Sequence, residues 1–229
     1  MATSRIDARL LSAAEYVRAG AVFADIGTDH GYLPVFLLKN GIIERAVLTD
    51  INEHPLESAR ESVRAEGLSD RVDFYLTDGA LGLEGLGITD VAVCGMGGEL
   101  IARIIEAPAI RREGVRLITQ PMTRPEALRR ALDSLGFRTL EERYTESLGR
   151  FYLTLLSEYD GKKRETDELS AALGLCAPRE SDIGAYLGYM KARLASFERA
   201  YRGRLEAGEE DGALLKIIIS IRAEIEKYS

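Results

Sequence analysis

The feature that most narrows what this chain can fold into is an apolar run that ends at a carboxylate and a pair of glycines. Residues 21–26 are almost wholly apolar and lead through Asp25-Ile26-Gly27 into Thr28-Asp29-His30-Gly31, after which residues 32–38 turn apolar again. That order reads as strand, tight turn, helix. Gly27 and Gly31 let a ligand approach the backbone closely. The turn's N–H groups and the helix N-terminus are expected to form a site for an acidic or polar ligand. Asp50 closes a second expected strand, 46–50, where a carboxylate suits the two hydroxyls of a ribose. This half of the chain is therefore expected to hold a nucleoside-containing cofactor.

The strand–helix theme repeats. Helices are expected over 5–19, 32–39, from about Pro55 to Gly67, and over 99–106 and 125–135. Further strands are expected over 72–76, 90–94 and 115–119, with a Gly-rich turn at 95–98 and a break at Gln120-Pro121. Two more, 137–142 and 151–158, are joined by 143–150 with no helix between them. They should pair as an antiparallel hairpin at one edge. The alternation predicts an α/β, Rossmann-like, seven-stranded sheet with helices on both faces. The polar run 160–165 marks a boundary. Beyond it, Tyr186, Leu187, Met190, Leu194 and Phe197 recur at helical spacing, as do Leu214, Ile217, Ile218, Ile221 and Ile225. A turn at 208–212 separates the two sets, which predicts a coiled-coil-like helical hairpin. Two domains follow, 1–160 and 161–229.

Charge divides along the same lines. Residues 1–99 carry a net −8, residues 100–157 a net +3 and residues 158–229 a net −2. Every basic group of the middle segment is an arginine, whose planar fork binds two phosphate oxygens at once. Cys94 and Cys176 lie far apart without metal-ligand spacing, which fits a reducing cytoplasm. No apolar run approaches a bilayer span, and no secretory signal is expected at the N-terminus.

Three carboxylates punctuate successive expected strand ends: Asp25, Asp50 and Asp78, the last followed by Gly79. Ligands of open parallel sheets bind at that edge. Asp78 can accept from an adenine amine. A dinucleotide turn would read Gly-x-Gly-x-x-Gly, yet here Asp29 stands at the middle position and would repel a pyrophosphate. A sulfonium with an amino-acid tail is the better guest, which favours S-adenosyl-L-methionine over NAD.

The chain resembles the class I S-adenosylmethionine-dependent methyltransferases and, more narrowly, the bacterial tRNA (adenine(22)-N1)-methyltransferase family. The likeness rests on Asp25-Ile26-Gly27-Thr28-Asp29-His30-Gly31-Tyr32-Leu33-Pro34, on Thr49-Asp50-Ile51-Asn52, on Gly95-Met96-Gly97-Gly98 and on Gln120-Pro121. It departs at His54, where Gly is expected before Pro55, and at Met122, where Asn is frequent. The resemblance implies cofactor contacts at Asp25, Gly27, Asp50, Asn52, Asp78 and Gly95, with Gly31, Ile51, Gly79 and Met96 beside them. It puts the target base against Met96, Gly97 and Gly98, near Gln120 and Pro121. Asp29, His30 and Tyr32 would face the pocket mouth as the catalytic candidates.

The reaction so implied asks for alignment more than for a strong base. N1 of adenine has an in-plane lone pair and attacks a sulfonium methyl directly, leaving S-adenosyl-L-homocysteine. Asp29 would orient the ring or relieve the charge that develops on it. N1 is paired in a duplex, so the target must be unpaired or flipped. Arg5 and Arg9, four residues apart on one helix face, would meet tRNA phosphates. Arg111, Arg112, Arg116, Arg124, Arg129 and Arg130 would extend that track, and binding should weaken with salt. With only His54 besides His30, no metal site is expected. A methyltransferase for another RNA, a protein or a small molecule, and a non-catalytic cofactor-dependent RNA-binding module, are the alternatives. Self-association is left open.

Overall fold

A computed structural model describes residues 6–229. The chain runs α1 (Ala8–Ala14), β1 (Val22–Ile26), α2 (Tyr32–Lys39), β2 (Arg45–Asp50), α3 (Glu53–Ala65), β3 (Val72–Leu76), β4 (Asp90–Gly97), α4 (Gly98–Ile104), β5 (Arg116–Thr123), α5 (Pro125–Leu135), β6 (Phe137–Ser147), β7 (Arg150–Tyr159), α6 (Glu168–Leu173), α7 (Ile183–Glu206) and α8 (Gly212–Lys227). The seven strands form one sheet in the order β3-β2-β1-β4-β5-β7-β6. β1 to β5 are parallel, and β7 runs antiparallel between β5 and β6. The expected seven-stranded α/β sheet with a reversed hairpin at one edge is what forms.

Period-two alternation sorts the central strands between two cores. Phe23, Ala46, Leu48, Ala92 and Ile118 face α1, α2 and α3, with Leu33, Leu37, Ala59 and Val63. Ala24, Val47, Val91, Val93 and Leu117 face the other way, against Ile101, Leu128 and Leu132 of α4 and α5. Both faces are covered, so these strands read as continuous apolar runs.

The C-terminal hairpin is present as α7 and α8, and its root belongs to the second core. Tyr186, Met190 and Ile221 share that cluster with Tyr144 and Leu153 of the sheet. The six-residue α6 was not expected. Asp167 caps it, accepting from the Leu169 and Ser170 amides at 2.9 and 3.0 Å.

Three local expectations are corrected. The Gly-rich stretch 95–98 is not a turn: β4 continues through Gly97, and Gly98 opens α4. Nor does Gln120-Pro121 break β5, which reaches Thr123. Pairing shifts by one residue between Cys94 and Met96, and shifts back between Met96 and Gly97. Two offsetting bulges thus admit Gly95 on one strand and Met122 on the other, and a bulge is where a strand tolerates proline. Finally, residues 143–147 extend β6 rather than forming a loop, and the hairpin closes in two residues.

That two-residue turn is strained. Leu148 and Gly149 have φ of +51° and +73°, with Ser147 paired to Arg150. Such primed turns favour Asn-Gly, whereas a branched residue in the left-handed region costs roughly 1–2 kcal/mol. Leu148 is 92% exposed and has little packing to lose. Leu148→Asn is expected to raise stability by about 1 kcal/mol, a shift of roughly 2–4 °C in Tm. A thermal melt that moves down instead would show that the leucine makes contacts worth more than the strain.

Among the described residues, no helix is long and apolar enough to cross a membrane.

Candidate active site

The C-terminal ends of β1 and β4 open into a cavity of about 480 Å3. Asp25, Gly27, Asp29, His30, Gly31 and Tyr32 line one side, and Cys94, Gly95 and Met96 the other. Arg9, Met122 and Tyr152 complete the wall. The turn holds its shape by bonding to its neighbour. Gly27, at φ +75°, and Thr28 both donate their N–H to the Thr49 carbonyl, at 2.8 and 3.0 Å. The Asp29 N–H donates to Gly27 O at 3.1 Å. These amides were expected to serve a ligand; the fold already uses them, so side chains must do more of the binding.

Asp25 is the most buried charged residue of the cavity lining. It is 8% exposed and accepts from the Thr28 hydroxyl at 2.6 Å. Burial pushes its carboxyl up to about 6; Thr28 and Arg9 oppose the rise and Asp50 adds to it. Arg9 enters the same cavity, where a Cβ on Gly95 would lie 3.9 Å from Arg9 Nη1. Its Nη1 donates to Gln120 Oε1 at 2.9 Å, and Gln120 Nε2 donates to Arg9 O at 3.0 Å and to Thr154 Oγ1 at 2.8 Å. Ser12 closes the network, donating to Arg9 O at 2.7 Å and lying 3.0 Å from Thr154 Oγ1. Gln120 and Thr154 are wholly buried. Thus Gln120, expected at the substrate, lies behind the cavity and fixes Arg9, because β5 turns that residue inward toward α1. Arg9, expected on tRNA phosphates, lines the cavity and is held by Gln120.

Asp29, His30 and Tyr32 gather at the mouth. The His30 and Tyr32 rings stack at 5.1 Å with planes 18° apart, and His30 Nε2 lies 3.6 Å from Asp29 Oδ1. Asp29 is exposed, its side chain at 81%. Burial, and then Asp25, push the Cys94 thiol up to about 12, which keeps it protonated at neutral pH.

A second depression of about 450 Å3 takes Ile51, Asp78 and Gly79 against α4. β1, β2 and β3 are neighbours, so Asp25, Asp50 and Asp78 do stand along one sheet edge. Asp50 Oδ1 accepts from the Asn52 N–H at 2.8 Å, and the Thr49 hydroxyl donates to Gly79 O at 2.9 Å. Met96 covers Gly27 so closely that a Cβ there would meet its methyl at 1.8 Å.

Gly97 and Gly98 do not line the cavity. They pack on the end of β5, where a Cβ on Gly98 would come 2.2 Å from Arg124 O. Pro121 is buried and faces a neighbouring groove rather than the cavity. The arginine track is interrupted. Arg129 is fully buried, Arg112 donates to Ile88 O at 2.7 Å and Arg116 pairs with Glu158 at 3.3 Å. Arg124 and Arg130 remain exposed, and Arg5 lies outside the described residues. Met122, a departure from the family pattern, does line the cavity, whereas Tyr152 was missed because it sits in a strand whose alternation carries no mark of a site.

Residues 6–155 match the family described as a methyltransferase domain. A tRNA (adenine(22)-N(1))-methyltransferase of Bacillus subtilis (strain 168) is 32% identical over 172 residues, 75% of this chain and 72% of that protein. The chain belongs to the tRNA (adenine(22)-N(1))-methyltransferase family. Solved structures agree. A Streptococcus pneumoniae protein of that family, Sp1610, crystallised with S-adenosyl-L-methionine, is 30% identical with a TM-score of 0.79, over 95% of this chain and 97% of that one. The Bacillus subtilis M1A22 tRNA methyltransferase TrmK is 25% identical with a TM-score of 0.76, over 99% and 98%. The family's likeness therefore includes the C-terminal helices.

Proposed function

We propose that this protein transfers a methyl group from S-adenosyl-L-methionine to N1 of an adenine in tRNA, position 22 being the one its relatives are named for, and that it works in the cytoplasm. The observation that carries the cofactor reading is the facing pair Asp25 and Arg9. A cofactor ending in an α-amino acid presents an ammonium and a carboxylate together. One cavity offers a buried carboxylate and a clamped guanidinium, so charge and donor chemistry fit. Asp50 and Asp78, farther along the same edge, suit the ribose hydroxyls and the adenine amine.

Bound there, S-adenosyl-L-methionine supplies a methyl on a sulfonium, and S-adenosyl-L-homocysteine remains after transfer. The protein's residues do the rest by placement. Gln120 holds Arg9 in one orientation, and Met96 and Tyr152 narrow the cavity and limit water. Asp29 stands at the mouth, where a carboxylate orients the adenine and offsets the positive charge its ring acquires.

Incubation with unmodified tRNA and methyl-labelled cofactor, followed by mass mapping of nucleosides, tests the reading. The expected product is N1-methyladenosine in tRNA. Label found only in protein, in small molecules or nowhere overturns it. Asp29→Ala should lower kcat roughly tenfold, less than the loss of a buried oxyanion donor because this carboxylate is solvated. Its exposure predicts unchanged melting and unchanged cofactor Kd. Full turnover in that variant rejects the role.

A further inference from the structure

A groove of about 480 Å3 runs beside the cavity, between the β6–β7 hairpin and α7, and shares Met122 and Tyr152 with it. It lies on a chain of net charge −7, yet arginines mark its walls. Arg150 comes from β7 and Arg193 from α7. Burial, and then the nearby Arg124, lower Arg193 to about 10. It stays charged at neutral pH. Glu126 pairs with Arg193, whose Nε is buried without an acceptor. Arg193 thus has one carboxylate partner and a second guanidinium, Arg124, nearby, while Arg150 lines the groove from the hairpin. The Phe151 ring lies against α7 at Gly188, where a Cβ would meet it at 2.2 Å. Arg193 in turn sits 4.6 Å over the Phe197 ring. Arginine beside aromatic carbon is the surface that takes a phosphate and a base together.

We infer that this groove seats the nucleotide next to the methylated adenine, its phosphate on Arg150 and Arg193 and its base against Tyr152, at the wall shared with the cavity. The inference rests on the tRNA reading above. Continuity favours RNA over an acidic protein. An adenine entering past Met122 and Tyr152 brings its own backbone along the wall those two residues share with the groove. A nucleotide drawn in there also leaves the helical stack, which lowers the cost of extruding the target.

Arg150→Gln and Ser196→Glu test this. Both positions are exposed, so neither change threatens the fold. Binding of a tRNA transcript is measured by fluorescence anisotropy between about 50 and 200 mM salt. Arg150→Gln should weaken binding roughly tenfold at low salt and reduce the salt slope by about 1. Ser196→Glu should weaken binding similarly, and S-adenosyl-L-methionine Kd should not move. A transcript abasic at either nucleotide flanking the target should bind wild type more weakly on one side only. Wild-type affinity and slope in both variants, or no effect of either abasic site, overturns the groove. Absence of tRNA methylation by the wild-type protein defeats the parent reading instead, so the two failures are distinct.

Discussion

Asp25→Asn is expected to weaken S-adenosyl-L-methionine binding roughly 100-fold while making the ligand-free protein more stable. Both effects have one cause. Burial is the largest influence on Asp25 and moves its carboxyl from 3.8 to about 6. Between those values the folded protein holds a proton that the unfolded chain has released. Stability therefore falls as pH rises through that window, and the deficit is complete above it. At 1.36 kcal/mol per pH unit, it reaches about 3 kcal/mol at neutral pH. Asparagine removes the charge and keeps an oxygen for the Thr28 hydroxyl, so about 1–3 kcal/mol should return, or roughly 3–10 °C in Tm. The same change removes the partner proposed for the cofactor's ammonium, and a hydrogen bond to a charged group is worth about 1.5–3 kcal/mol. In wild type, affinity should drop below pH 6 as the carboxylate protonates. Calorimetry and melts between pH 4 and 8 check both halves. A variant that binds as wild type, or melts lower, defeats the linkage.

The expected outcome is a trade of stability for function at a position the sequence already marks. Asp25, Asp50 and Asp78 were legible because a parallel strand buried on both faces reads as an apolar run, and its polar stop is visible. What stayed hidden depends on pairing. The bulges that keep Gly95 and Pro121 inside strands exist only because β4 and β5 lie side by side. Gln120, expected beside the substrate, is instead buried against Arg9 and Thr154, partners 111 and 34 residues away that the sequence order does not reveal. The arginine track failed for the same reason. Composition counts guanidinium groups, and only the fold says which of them have carboxylates waiting.

Arg129→Ala, at the one arginine of that track wholly removed from water, should cost about 3–5 kcal/mol of folding stability. Its Nε and Nη2 grip Glu142 at 2.7 and 2.9 Å, and its Nη1 donates to Ala171 O at 2.7 Å. Glu142 also accepts from the Tyr144 hydroxyl at 2.9 Å and the Leu175 N–H at 3.3 Å. Burial pulls Arg129 toward neutrality, but Glu142, Tyr144 and Tyr189 together outweigh it and keep the guanidinium charged. The pair ties α5, β6 and α6 together at a point where the exchange of charge for contact is balanced only while both partners remain. Alanine leaves Glu142 buried without its counter-charge. Glu142→Gln added to Arg129→Met removes both charges and keeps an acceptor for Tyr144. The double variant should therefore be more stable than Arg129→Met by itself, a coupling that urea unfolding can measure. Because α6 packs on α5 and α8, hydrogen exchange in Arg129→Ala should show the C-terminal helices opening before the parallel strands. A loss below 1 kcal/mol, or uniform exchange across the chain, would mean that the apolar root of α7 and α8 holds the hairpin without the ion pair.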